Sequence, residues 1–189
     1  MRVPLSWLKE YVDVNLPVEE LAHRLTMAGL EVGDIERIGA GWTGCSVGRV
    51  LAVAPHPNAD RLSLCTVDLG GAEQLQVVCG APNVAEGQRI AFARVGATLV
   101  DSNTGALETL KAARIRGIVS EGMVCSEREL GLGDDHTGIL VLPDDAPIGA
   151  PLAEYLGDTV LDLDVTANRP DGLSVLGVAY ETAAISDVS

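Results

Sequence analysis

The sequence predicts an α+β fold that is mainly β, in which a small five-stranded Greek-key barrel is inserted into a small discontinuous α/β domain. Two observations predict it. The hydrophobic period is helical near both ends of the chain and changes to two between them, and 21 glycines supply turns for many short strands. We expect residues 1–38 plus 150–189 to form the α/β domain and residues 39–149 to form the barrel.

Helical and strand patterns define the α/β domain. Helices are predicted at residues 5–12 and 17–28, with Gly29 ending the second helix. A strand is predicted over residues 30–38 with a break at Gly33, and another over residues 160–165. Asp171 is a candidate cap for a last helix, which runs to the end of the chain without a stop signal. We therefore expect the chain to be a piece of a longer protein.

The central segment alternates apolar and polar residues. Strands are predicted at residues 47–54, 62–69, 75–79, 89–95 and 107–119, with a short helix at 127–130 and an edge strand at 139–142. Turn residues separate them, including a turn at Asp101, Asn103 and Gly105. Five strands and one short helix fit a Greek-key OB barrel.

Charge is distributed unevenly along the 189 residues. The net charge is −14, which argues against strong non-specific binding to nucleic acid and against DNA as a partner. Residues 1–88 carry −5 and residues 129–189 carry −11, whereas residues 89–128 carry +2. The positive segment is either a binding patch or a solvated surface, and composition alone leaves both readings open.

Cysteine usage and hydropathy indicate the compartment. Cys45, Cys65, Cys79 and Cys125 show no C-x-x-C spacing, so no zinc site is expected and the thiols are predicted to be reduced. No secretory signal and no run of about 18 apolar residues is present. The sequence predicts a cytoplasmic protein that does not span a membrane.

Two motifs suggest chemistry but have simpler explanations. Gly39, Gly41 and Gly44 spell G-x-G-x-x-G, yet a strand follows them, whereas a dinucleotide fingerprint opens a helix. His56 precedes Asp60 by four residues, which would suit a metal or acid–base pair, but a proline-rich turn is favoured. No Ser/His/Asp arrangement is present, so neither a catalytic residue nor a metal site is expected.

The candidate RNA-binding residues are basic or lie in a polar turn. They are Arg89, Arg94, Lys111, Arg114, Arg116, Ser120, Glu121 and Gly122. Arg114 and Arg116 are two apart, which predicts one shared strand face, whereas Arg89 and Arg94 are five apart and point to opposite faces. The turn at 120–122 is expected to offer backbone N–H groups to phosphate. Phe92 is expected in the core, so contacts would depend on phosphate and shape.

Several motifs together resemble one family. MRVPLSWLKEYV (1–12), LTMAGLEV (25–32), HPNADRL (56–62), CGAPNV (79–84), RGIVSEGMVCS (116–126) and LDLDVTANRPDGLSVLGVAYE (161–181) resemble the N-terminal part of bacterial phenylalanyl-tRNA synthetase β subunits. The resemblance implies tRNA as a partner and a catalytic α subunit in an (αβ)₂ assembly. It also implies that ATP and Mg²⁺ act at the α subunit and that this chain holds no cofactor.

Three hypotheses follow from the resemblance and the charge pattern. The first is a non-catalytic tRNA-binding region that supports charging of tRNA(Phe) by the holoenzyme, a phenylalanine–tRNA ligase. The second is a structural module for assembly with little RNA binding of its own. The third is a free-standing tRNA-binding protein with the same barrel, which would not need the segment at 161–181.

Overall fold

The computed structural model describes residues 1–100, 104 and 106–186. Its contacts divide the chain into two compact units. The α/β unit combines Met1–Ile38 with the described residues from Asp158 onward, and the barrel unit is Gly39–Gly157. The turn predicted at Asp101, Asn103 and Gly105 lies outside the described residues.

The secondary structure is mainly strand. The strands are β1 Arg2–Pro4, β2 Glu31–Ile38, β3 Cys45–Pro55, β4 Ser63–Asp68, β5 Gln74–Cys79, β6 Arg89–Arg94, β7 Thr98–Val100, β8 Leu107–Thr109, β9 Ala113–Ile115, β10 Ile118–Ser120, β11 Gly122–Val124, β12 Val141–Leu142 and β13 Asp158–Asp164. The helices are α1 Leu5–Leu8, α2 Val18–Met27, α3 Leu152–Tyr155 and α4 Val175–Ile185, with a 3-10 helix at Pro170–Leu173.

The α/β unit is a three-stranded antiparallel sheet of order β1-β13-β2 with helices packed on it. Its core includes the fully buried Leu8, Leu21, Leu25 and Leu161. Helix α2 lies within the predicted bounds, and Gly29, which follows its C-cap Ala28, has a φ of +89° that suits glycine. The helix predicted over residues 5–12 is wrong beyond Leu8. The next three side chains are exposed, so burial of an apolar face does not extend the helix there.

The break predicted at Gly33 is present as a bulge. Opposite β2, Asp162 pairs with Asp34 and Leu163 pairs with Val32, so Gly33 has no partner in the register. One extra residue in one strand bends it locally.

Arg169 connects three segments of the α/β unit. Its guanidinium donates to the Ala28 carbonyl oxygen at 2.6 Å, to Asp171 at 2.8 Å and to Glu181 at 2.6 Å. Asp171 therefore holds Arg169 rather than capping α4 as predicted. The cap is Ser174, whose Oγ accepts from the Gly177 N–H at 3.0 Å.

The barrel unit is built on an antiparallel sheet of order β11-β6-β3-β4-β5, with β12 also pairing with β6. These five strands form a nearly closed barrel, which confirms the predicted fold class. Phe92, Ile90, Val50 and Val67 are fully buried inside it. Apart from Phe92, the buried residues of this cluster are Val, Leu, Ile and Cys, so aliphatic side chains supply most of the core.

Three residues in sequence close the barrel between β11 and β5. The Ser120 Oγ accepts from the Val78 N–H at 3.1 Å and donates to the Gly122 carbonyl oxygen at 2.8 Å. The Glu121 N–H donates to the Gln76 carbonyl oxygen at 2.9 Å, and the Glu121 carboxylate accepts from the Gln76 N–H at 2.7 Å. These bonds satisfy backbone groups that an open edge would expose.

Two predictions for the barrel segment need correction. The single strand predicted over residues 107–119 is divided into β8, β9 and β10. Residues 127–130 form turns rather than a helix, with the Gly131 N–H bonded to the Arg128 carbonyl oxygen. The contacts of the barrel unit continue to Gly157, and Ser46 in β3 forms a bridge with Pro151.

The four cysteines are free and buried in the barrel unit. Burial raises the pKa of Cys45 to about 11 and raises the pKa of Cys125. The Cys79 pKa is lowered instead, because its sulfur accepts from the Cys65 thiol and from the Ala81 N–H. None of the described helices has the length and apolar character that a membrane span requires.

Substitution of Gly122 tests the barrel closure. A Cβ at this position would overlap the Phe92 ring and the Ala93 carbonyl oxygen. We expect Gly122→Ala to lower the free energy of unfolding by about 1–3 kcal/mol, measured by urea denaturation. Gly71→Ala is the matched control, because its nearest contact would be 4.0 Å away, and equal losses in both variants would contradict the closure.

Substitution of Arg169 tests the connection within the α/β unit. We expect Arg169→Met to lower the urea midpoint at pH 7, with the difference from wild type shrinking in acid. Hydrogen bonding to Arg169 lowers the pKa of Asp171, so this contribution is present above the ordinary carboxyl pKa and is lost as the pH falls below it. Arg2→Met, which breaks an exposed pair with Glu36, is expected to change little. A pH-independent difference would contradict the ionic role.

Candidate nucleic-acid interface

The two units differ in whether their positively charged side chains have carboxylate partners. In the α/β unit, Arg2, Arg24, Arg37, Arg169 and the amino terminus form ion pairs with carboxylates of the same unit. Among the described residues, six exposed cations of the barrel unit have no carboxylate at ion-pair distance. They are Arg49, Arg61, Arg94, Lys111, Arg114 and Arg116. These cations are therefore free to bind an external anion.

The hairpin of β9 and β10 carries two of these cations. Ile115 pairs with Ile118 and Ala113 pairs with Ser120, which leaves Arg116 and Gly117 as a two-residue turn. Their φ angles are +48° and +96°, as a tight I′-like hairpin turn requires. Arg116 in the left-handed region costs about 1–2 kcal/mol relative to glycine.

The predicted shared strand face of Arg114 and Arg116 is wrong. Arg114 lies on β9, whereas Arg116 lies in the turn, because Gly117 permits the chain to reverse there. The Arg114 guanidinium nevertheless reaches the turn, where Nη1 donates to the Gly117 carbonyl oxygen at 3.1 Å. The two cations are thus brought together by the turn and not by strand periodicity.

The loop that follows β3 contacts this hairpin. Asn58 donates from Nδ2 to the Arg116 carbonyl oxygen at 3.1 Å, and His56 Nε2 lies 3.3 Å from the Ile115 carbonyl oxygen. The structure confirms that His56 belongs to a turn, since its N–H donates to the Leu62 carbonyl oxygen. Sequence reasoning missed the link between the HPNADRL and RGIVSEGMVCS motifs, which are more than fifty residues apart.

The remaining candidates have different environments. Arg94 and Lys111 are exposed and stay available. Arg89 is half-buried, and its Nη1 donates to the Ala146 carbonyl oxygen at 2.7 Å, so its guanidinium is engaged inside the unit. Phe92 is fully buried, as expected for a core residue.

The turn at 120–122 does not have the predicted form. Ser120 is buried with its hydroxyl bonded on both sides, and the Glu121 N–H is already donated to Gln76. Gly122 packs closely against the Phe92 ring. These residues close the barrel, so they do not present free backbone donors to phosphate as the sequence suggested.

Fold and site together define a small barrel with an exposed, cationic hairpin. Residues 45–151 match the family model described as "Putative tRNA binding domain". This match covers more than half of the chain, and the chain belongs to that family.

Relatives with longer chains resemble the whole sequence. Over 99% of its length the chain is 51% identical to the phenylalanine–tRNA ligase β subunit of Salinibacter ruber, of which it covers 24%. The corresponding values are 50% identity over 99% of the chain for Dehalococcoides mccartyi and 47% over 98% for Burkholderia lata, each covered to 23%. The chain thus spans about a quarter of the length of the curated relatives it matches.

Relief of the strained turn gives a stability prediction. We expect Arg116→Gly to raise the free energy of unfolding by up to about 1 kcal/mol, because glycine adopts the left-handed conformation without a Cβ clash. Arg116→Ala keeps the strain and is the matched control. Urea denaturation of both variants measures the difference, and a glycine variant less stable than the alanine variant would contradict the strain.

Proposed function

We propose that the barrel binds the phosphate backbone of tRNA through its cationic hairpin. The observation that carries this proposal is the set of exposed barrel cations without a described ionic partner, two of which, Arg114 and Arg116, meet at one hairpin turn. Lys111 and Arg94 are supporting contacts. Because phosphate contacts position a nucleic acid without reading its sequence, this surface would hold tRNA rather than select it.

The burial of Phe92 and Trp42, two of the aromatic rings of the barrel unit, supports a phosphate-based mode. Phe92 is fully buried, and the buried Trp42 donates its Nε1–H to the Leu130 carbonyl oxygen at 2.8 Å. Neither ring can stack on a base. The binding would therefore be moderate and strongly dependent on salt, as expected for a few cations on an acidic chain.

The similarity to phenylalanine–tRNA ligase β subunits suggests the wider role. The chain would serve as a non-catalytic, tRNA-binding region that supports ATP-dependent charging of tRNA(Phe) by a cytoplasmic (αβ)₂ holoenzyme. ATP and Mg²⁺ would be used by the α subunit and not by the residues of this chain. The α/β unit and the barrel unit would act as two separate domains within that assembly.

Removal of the hairpin cations tests the binding proposal. We expect the double variant Arg114→Ala plus Arg116→Ala to weaken tRNA(Phe) binding about tenfold or more at low salt. Its log–log salt slope should fall by about 2, because each lost phosphate contact removes nearly one released counterion. Fluorescence anisotropy of labelled tRNA across a salt series measures both quantities.

The matched control removes the same charge elsewhere. Arg37→Ala plus Arg24→Ala changes the net charge equally, but both residues are paired with carboxylates in the α/β unit. We expect its affinity and slope to stay close to wild type. Equal losses in the two double variants would mean that net charge, and not the hairpin, controls binding.

A further inference from the structure

The loop with the HPNADRL motif carries one exposed cation, Arg61, and is also hydrogen-bonded to the cationic hairpin through His56 and Asn58. We propose that His56 and Asn58 are positioning residues, which hold the Arg116 turn in the conformation that binds tRNA. This inference rests on the proposed function. It differs from it because His56 and Asn58 would set affinity without touching phosphate themselves.

The contacts form a continuous chain of hydrogen bonds. The Asn58 N–H donates to His56 Nδ1 at 3.1 Å, so Nδ1 acts as an acceptor in a neutral imidazole. The proton then lies on Nε2, which faces the Ile115 carbonyl oxygen at 3.3 Å and donates to it. The Asn58 side chain donates to the next carbonyl along the hairpin, that of Arg116.

Two neighbouring carbonyl oxygens of the hairpin are therefore fixed by two side chains of one loop. His56 is only 5% exposed, so its ring has a defined place against the hairpin. The loop is itself held, because the His56 N–H donates to the Leu62 carbonyl oxygen and the Leu62 N–H donates to that of Ala59. Because the loop is held in place, its hydrogen bonds can restrict the motion of the turn at Arg116.

The turn needs such support for two reasons. The β9–β10 pair has only three residues on each strand, and an isolated two-stranded hairpin is marginally stable in water. Arg116 also has a φ of +48°, a conformation that a non-glycine residue keeps only when its surroundings hold it. Release of the two carbonyls would let the turn relax and move the Arg116 guanidinium.

The test uses the full chain and labelled tRNA(Phe) in a salt series. We expect Asn58→Ala and His56→Ala each to weaken binding about three- to tenfold, which corresponds to the loss of one or two hydrogen bonds. The salt slope should stay at the wild-type value, because the number of phosphate contacts is unchanged. Arg116→Ala, in contrast, should reduce the slope by about 1.

Two further measurements separate positioning from general destabilisation. His56→Gln should restore most of the affinity, because its amide can donate to the Ile115 carbonyl in place of Nε2–H. Amide hydrogen exchange of residues 113–120 should be faster in Asn58→Ala without tRNA. Asn83→Ala is the matched control, since Asn83 also bonds a loop backbone, at Ile139, and should lose stability while keeping its tRNA affinity.

The outcomes distinguish this inference from the proposed function. If Arg116→Ala weakens binding while Asn58→Ala and His56→Ala bind as wild type, the positioning role is overturned and the binding proposal stands. A slope reduced by 1 in Asn58→Ala would also overturn it, because Asn58 would then contact phosphate itself. If the wild-type chain binds no tRNA at low salt, both proposals fail. Should Asn58→Ala not fold, the comparison of His56→Ala with His56→Gln decides.

Discussion

The closure of the barrel at Ser120 and Glu121 is the constraint on which the rest of the binding unit depends. A five-stranded sheet has two edges, and their backbone groups must be paired for a small barrel to enclose a core. Here the Ser120 hydroxyl and the Glu121 backbone and carboxylate bond the main chain of β5. Gly122 then lets the next strand pass close to the Phe92 ring. The cationic hairpin ends at this closure, so its position follows from the closure.

The charge distribution explains how an acidic chain can hold RNA. Repulsion from a net charge of −14 opposes association at long range. In the α/β unit, the four arginines are bonded to nearby carboxylates, as Arg169 is to Asp171 and Glu181. On the barrel hairpin, Arg114 and Arg116 have no such partner in the described structure. Local charge at the hairpin can therefore attract phosphate although the chain as a whole does not.

Much of the fold could be predicted from the sequence because periodicity reports burial. The helix at Val18–Met27 and the change from period 3.6 to period 2 are direct consequences of one buried face. The wrong predictions occur where tertiary contacts override what the local sequence pattern indicates. Asp171 looked like a helix cap but is held by Arg169, and a 13-residue alternating segment is in fact divided by a turn at Gly117.

The candidate site was only partly predictable. Residue type identified Arg114 and Arg116 as candidate contacts. Strand periodicity wrongly predicted that they share one strand face, because it cannot reveal a left-handed residue such as Arg116. A polar turn at 120–122 predicts backbone N–H groups that face phosphate, whereas the Glu121 N–H and the Ser120 hydroxyl bond β5 inside the barrel. The contact between Asn58 and the hairpin is long-range and leaves no signal in either segment alone.

The most direct test observes the arginine side chains themselves. In ¹⁵N-labelled full chain, the Nε–Hε resonances of the arginines can be followed by NMR as tRNA(Phe) is added at low salt. We expect the resonances of Arg114 and Arg116 to shift or broaden first, while those of the paired Arg24 and Arg169 stay in place. Uniform changes across all arginines, or changes confined to the α/β unit, would contradict the hairpin as the site of RNA binding.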